Sequence, residues 1–171
     1  MNGLDLFCGL KGASAAWLDR GWSVLTVDIE SRFEPDVVAD LMDWHYDGPP
    51  VDLLWASPPC TEFSKLDKPW FPDADKPPDM ALVLATLRLV GEIEPRFWII
   101  ENVRGLQRWF GRAPARFGSF YLWGWYPPIP APRAADWLFK DIHHVRSPRK
   151  RAKIPYGLSD AVARGVEVWT G

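Results

Sequence analysis

An α/β fold with a doubly wound, mostly parallel sheet is predicted by three observations. Short β-rich apolar runs alternate with segments of helical periodicity. Two of the runs, Val51–Ala56 and Arg96–Ile100, are apolar almost throughout, as strands buried on both faces are. Acidic, glycine-bearing or cysteine-bearing turns follow the runs, and ligands on such sheets bind beyond the carboxyl ends of the strands.

Taken in order, Gly3–Phe7 is a short apolar strand, and Ala13–Arg20 is helical with Ala16, Trp17 and Leu18 available to pack. Gly21 is placed to stop that helix. Trp22–Val27 is a second strand ending in Asp28, and Val37–Ala39 is a weak third before Asp40. Met80, Val83, Leu84, Leu87 and Val90 lie at helical spacing behind Pro77-Pro78 and the candidate N-cap Asp79. Phe117–Trp125 adds a further strand, Tyr126–Pro132 is a Pro-rich loop, and Leu158–Ala163 closes the chain as a helix. Asp5 to Phe7, Asp28, Asp40, Cys60 and Glu101 all fall at or just after strand ends, so they share one edge of the sheet.

The 171 residues read as one domain, 1–171, with no internal repeat or linker. A hydrophobic share of 47% beside 25% charged residues is that of a globular protein. Without a membrane-length apolar run or a signal-peptide pattern, the expected compartment is the cytoplasm. Two cysteines, Cys8 and Cys60, cannot build a disulfide framework, and neither they nor the three histidines show metal-ligand spacing. His143-His144 reads as a surface pair. The charge is divided along the chain. Residues 1–80 carry 15 acids and 6 bases, whereas 81–171 carry 14 bases and 7 acids. The net charge of −2 argues against a non-specific nucleic-acid coat, although the basic half could face phosphates or be a solvated surface.

Three local patterns carry chemistry. In Asp5-Leu6-Phe7-Cys8-Gly9-Leu10-Lys11-Gly12 the glycines permit a tight turn and close backbone approach, yet the pattern is not the Gly-x-Gly-x-x-Gly dinucleotide fingerprint. Asp28 could accept both hydroxyls of a ribose, or merely cap the next turn. Ser57-Pro58-Pro59-Cys60 presents a thiol behind a stiff diproline, a candidate nucleophile where a lone cysteine would be an inert small hydrophobe. Cys8 reads as the inert kind. Glu101-Asn102-Val103 closes a strand with groups able to clamp a flat heterocycle, although a glutamate there could also serve an ion pair. The loop Lys65–Pro78, stiffened by prolines, carries Trp70 and Phe71, which either cover a bound base or pin the loop. The aromatics of Phe120–Tyr126 read as core.

In this order the three motifs resemble the DNA (cytosine-5) methyltransferase family, over roughly residues 3–103 with a weaker echo at 146–158. The resemblance implies a Rossmann-like fold and S-adenosylmethionine as cofactor, leaving S-adenosylhomocysteine as product. Phe7 would pack on the adenine, Asp28 would hold the ribose and Ile29 would lie on the adenine face. Asp40 would take the adenine amino group, and Asp5, Gly9, Leu10, Gly12, Leu41 and Pro59 would complete the cofactor site. Lys11 stands where the family usually has glycine, and Ile29 where it often has an aromatic.

The same resemblance implies covalent catalysis, with Cys60 attacking carbon 6 of cytosine and Glu101 holding the amino group and ring nitrogen 3. Asn102 orders the local backbone. Arg149 and Arg151 would hold the base carbonyl, in place of the family's Arg-x-Arg element, or form a solvated basic loop. The implied partner is DNA, with a target base flipped out of its stack. Only about twenty residues follow that element, and the family's Gly-Asn-Ser-Val is replaced by Gly157-Leu158-Ser159, as in short versions from phages and mobile elements. A target-recognition domain is therefore not expected. Low or short-context specificity, a partner subunit or a single-stranded substrate follows. Open alternatives are the same chemistry on RNA or a free cytosine nucleotide, and a catalytically silent binding module; a dehydrogenase is disfavoured by the missing fingerprint.

Overall fold

A computed structural model describes residues 1–66, 76–131 and 153–170. Arg149, Arg151, the His143-His144 pair, Trp70 and Phe71 lie outside the described residues.

Among the described residues seven strands form one sheet: β1 (Asn2–Leu6), β2 (Ser23–Asp28), β3 (Val37–Val38), β4 (Leu53–Ala56), β5 (Phe97–Asn102), β6 (Ala115–Phe117) and β7 (Phe120–Trp125). Their spatial order is β3-β2-β1-β4-β5-β7-β6. The pairs from β3 to β5 are parallel, and the β6–β7 hairpin joins antiparallel to β5. The expected doubly wound sheet is therefore present. Chain order reverses between β1 and β4, the switch point at which such sheets bind ligands.

Alternation within β4 explains its unbroken apolar run. Leu53 and Trp55 face a core shared with α1 (Ala15–Asp19), whereas Leu54 and Ala56 face a second one beneath α3 (Ala81–Ile93). All four are fully buried, because a parallel strand is covered by helices on both sides. A short helix, α2 (Thr61–Leu66), follows Cys60, and a one-turn helix, α4 (Gln107–Phe110), follows a 3₁₀ turn at Arg104–Leu106.

The expected helix at 158–163 is longer in the structure. It is α5 (Tyr156–Thr170), whose Leu158, Val162 and Val166 pack into the α1 core. A polar seam fastens it: Arg20 donates from Nη1 to Asp160 (3.0 Å) and from Nε to Glu167 (2.9 Å), and Trp22 Nε1–H donates to Glu167 (2.9 Å). No helix among the described residues is long and apolar enough to cross a membrane.

The expected strand Phe117–Trp125 is the β6–β7 hairpin, and the first helix and α3 differ from the sequence reading for physical reasons. The first helix begins at Ala15 rather than Ala13, because residues up to Ser14 are drawn into the turn after β1. In α3 the buried stripe runs through Val83, Thr86 and Leu89, leaving Leu84 59% exposed. Asp79 does assist that helix, accepting the Ala81 N–H at 2.8 Å. Core aromatics are found in β7 as expected, although Trp125 at its end is exposed.

Candidate active site

The turn after β1 is shaped by left-handed backbone at Phe7 (φ 55°), Gly9 (φ 47°) and Lys11 (φ 53°). For Phe7 and Lys11 that conformation costs on the order of 1 kcal/mol each. The family glycine expected at position 11 is thus explained by backbone shape. Lys11 directs its Nζ away from the turn, donating to the Glu34 carbonyl at 2.6 Å.

Asp5 sits beneath the turn, 1% exposed, accepting the Ser14 hydroxyl at 2.6 Å. Burial pushes its carboxyl up to about 7, against the lowering effect of Ser14. Asp28 closes the turn from β2: its Oδ2 accepts the Gly9 N–H and its Oδ1 the Glu30 N–H, both at 2.9 Å. Its pKa is also raised, chiefly by burial, with the backbone N–H groups of Gly9 and Ile29 and the charge of Arg32 opposing. Gly12 serves packing. A Cβ there would lie 2.6 Å from the Ile154 carbonyl oxygen, so the segment before α5 approaches the turn closely. Ser159 completes that junction by donating to the Ala13 carbonyl and accepting the Ala16 N–H.

Leu10 and Ile29 are exposed apolar side chains at this edge, 43% and 62% accessible. Asp40 is exposed and folds back to accept the Met42 N–H at 2.9 Å, whereas Leu41 is buried in the core. Arg88 of α3 holds this Asp40 turn by donating to the carbonyls of Leu41 and Trp44, both at 2.9 Å.

On the other side of the switch point, Ser57 N–H donates to the Leu6 carbonyl at 3.2 Å, joining the cysteine loop to β1. Pro58 is buried and Pro59 exposed. Cys60 is a free, half-buried thiol, in contrast to Cys8, which is buried and whose thiol burial pushes up to about 12. Glu101 and Asn102 lie inside β5 rather than after it. Asn102 Nδ2 donates to the Pro58 carbonyl at 2.9 Å and its Oδ1 accepts the Val103 N–H, so it clamps the cysteine loop to the glutamate strand.

Glu101 is 8% exposed, and burial pushes its carboxyl up to about 7 while a hydrogen bond from Ser57 opposes the shift. The Ser57 hydroxyl is itself oriented by Trp55 Nε1–H at 2.8 Å. Gly105 sets the spacing of the two segments, since a Cβ there would lie 2.0 Å from the Phe63 carbonyl oxygen of α2.

Four of these residues escaped the sequence reading. Ser57, Arg88, Gly105 and Ser159 act on the site through contacts 42 to 146 positions distant, and none belongs to a periodic pattern. Ser57 had a local signal, as the residue that opens the Pro-Pro-Cys turn, and Ser159 stood in the Gly157-Leu158-Ser159 segment without a contact assigned to it.

A parallel sheet with a glycine turn and an acid on one side of its switch point, and a thiol clamped to a buried glutamate on the other, defines a Rossmann-like domain of the methyltransferase kind. The model of the C-5 cytosine-specific DNA methylase family matches residues 1–109, and the chain belongs to that family. It is 32% identical over 117 residues to a "Probable DNA (cytosine-5)-methyltransferase" of Frog virus 3, covering 60% of this chain and 53% of that one. The chain thus spans about half the length of this relative.

Similar solved structures include a protein encoded within an E. coli prophage and described as a DNA modification methyltransferase. It is 25% identical with a TM-score of 0.47, over 62% of this chain and 33% of its own. The Entamoeba histolytica methyltransferase EhMeth is 15% identical with a TM-score of 0.46, over 77% and 54%.

Proposed function

We propose that residues 1–171 act as a single catalytic domain that methylates carbon 5 of cytosine in DNA, with Cys60 as nucleophile. The observation that carries this reading is the clamp: an accessible thiol and a buried glutamate held on one sheet edge by the Asn102–Pro58 bond of 2.9 Å.

S-adenosylmethionine fits the turn beside it. Asp28 accepts the Gly9 and Glu30 N–H groups and is also bonded by the Ile29 N–H, so of the about four acceptor positions of a carboxylate about one is left for a ribose hydroxyl. Leu10 and Ile29 offer exposed apolar surface for a flat ring, with Phe7 and Asp40 on the same edge. When bound there, the cofactor supplies an electrophilic methyl group. The Lys11 ammonium is held by the Glu34 carbonyl.

The chain's own residues do the rest. A bond from Cys60 Sγ to carbon 6 breaks the aromaticity of the ring and leaves carbon 5 electron-rich. Glu101, held near neutrality by burial, keeps a proton to place on ring nitrogen 3 and accepts the exocyclic amino group. After methylation, water takes the carbon-5 proton, the nitrogen-3 proton returns to Glu101, and the Sγ–carbon 6 bond pair leaves with sulfur, regenerating the ring and the Cys60 thiolate with which the attack began. Arg149 and Arg151 are the proposed holders of the base carbonyl.

Tritiated S-adenosylmethionine offered with DNA, RNA and cytidine nucleotides tests this reading. Label in DNA as 5-methylcytosine, and a covalent adduct of Cys60 with 5-fluorocytosine DNA, are expected. Label confined to RNA or nucleotide moves the activity to that acceptor, and cofactor binding without label or adduct identifies a silent module.

A further inference from the structure

We propose that the cleft walled by Gln107, Arg112, Arg116 and Tyr121 holds backbone phosphates of the DNA strand that carries the target cytosine. This rests on the methyl-transfer reading for the identity of the strand.

Position is the first argument. Asn102 of β5 pairs with Tyr121 of β7, and Tyr121 pairs with Arg116 of β6. Arg116 therefore lies two strand spacings, about 10 Å, from the Asn102 backbone. Because β7 runs antiparallel, its amino-terminal end and the hairpin tip at Gly118-Ser119 stand at the carboxyl edge of the parallel strands, where Cys60 and Glu101 are. Along one DNA strand about 10 Å corresponds to roughly three nucleotides of rise. A base drawn to Glu101 thus brings its flanking phosphates within reach of the cleft.

The second argument is chemical. The cleft, about 370 Å³, is bounded by two exposed arginines. Arg116 is preorganised: Nε donates to the Gly118 carbonyl at 2.7 Å, and the guanidinium lies 5.2 Å from the Tyr121 ring centroid. With Nε so engaged, its Nη groups are those that can meet a phosphate, and the fork matches two oxygens at once. Gln107 accepts the Ala113 N–H at 3.2 Å, which holds the turn carrying Arg112 closed.

Charge supplies the third. From Asn102 to Ala131 the sequence has four arginines and no acid, in a chain of net charge −2. Arg20, Arg88 and Arg164 each pair with an acid of the fold, as structural arginines do. Arg104 and Arg108 are exposed on the same stretch, so the cleft continues a basic margin that begins next to Glu101.

The experiment measures binding of labelled single-stranded and duplex DNA across about 50 to 200 mM salt. The double variant Arg112→Gln/Arg116→Gln should bind at least tenfold more weakly. Its slope of log K against log salt should be shallower by about 1.8 on duplex or about 1.4 on single-stranded DNA, two phosphate contacts fewer. Arg112→Lys/Arg116→Lys should restore most of the slope, and Arg96→Gln, the same charge change at the opposite edge of the sheet, should leave it unaltered. Should the double Gln variant lose its fold by circular dichroism, each single Gln variant should still lower the slope by about 0.7 to 0.9.

Wild-type slope and affinity in the folded Gln variants, or no DNA binding by the unaltered chain, overturns the assignment. The methyl-transfer reading is judged apart, by label: label with an unchanged slope removes the cleft alone, and a lowered slope without label removes the reaction alone.

Discussion

Two buried carboxyls stand on either side of the switch point, and they differ in what surrounds them. Asp5 and Glu101 are both pushed to about 7 by burial, and each receives one serine hydroxyl. Asp5, however, lies under a closed turn and also accepts the Ser14 backbone N–H, so its hydrogen bonds are spent on the scaffold. Among the described residues Ser57 is the partner that opposes the Glu101 shift, and the neighbouring Asn102 ties its strand to the loop that carries the half-buried Cys60. A perturbed acid with hydrogen-bonding capacity to spare is a candidate for function, whereas a similar shift in an acid bonded to its own turn marks support.

The sharpest break of this comparison is Cys60→Ala. Methyl transfer should fall by about 10⁴-fold or more, while cofactor affinity by calorimetry stays within about twofold, because the thiol acts on the base. A substantial residual rate would remove the covalent step.

Glu101→Gln should lower the rate by about 10²- to 10⁴-fold with the fold intact. Its effect on stability has a definite sign. The carboxyl titrates near 4.5 when unfolded and about 7 when folded, so the folded chain holds an extra proton between these values. The stabilisation is full below pH 4.5 and is lost as pH rises through 7, a change of about 3 kcal/mol. Denaturant titrations across that window should show a flatter profile for Glu101→Gln than for the unaltered chain.

Asp28→Ala should weaken cofactor binding by about 10- to 100-fold, the loss of hydrogen bonds to a charged group, with less effect on the rate at saturating cofactor. Retained tight binding would refute its ribose role. Asp5→Asn, the counterpart of Glu101→Gln, should cost about 1–3 kcal/mol of stability and spare chemistry at saturating cofactor. A rate loss as large as that of Glu101→Gln would erase the distinction between the two acids.

The smallest effect is expected of Ser57→Ala, about 1 kcal/mol, with the Glu101 pKa moving further up, since the serine bond lowers it. A pKa that stays in place, read by carbon-13 titration of the glutamate, would deny Ser57 its orienting role.

Much of this molecule was legible in one dimension because its signals are local. Continuous apolar runs mark strands buried on both faces, and Val51–Ala56 and Arg96–Ile100 led directly to β4 and β5. The order of the motifs identified the family. Placement of Asp28, Cys60 and Glu101 at strand ends followed from the same alternation of elements. Helix lengths were less readable: α5 continues to Thr170 because Val166 reaches the Trp17 core, a contact between the two ends of the chain.

What the sequence by itself determined is therefore the sheet, the edge on which the motif residues fall and the family, all of which depend on near neighbours and on periodicity. Tertiary structure alone decided how those side chains are held. Asn102 reaching Pro58, Ser57 reaching Glu101, Gly105 lying against Phe63 and Gly12 against Ile154 are meetings of distant segments. No local pattern encodes them, because burial, and with it the protonation of Asp5 and Glu101, exists only once the layers have closed.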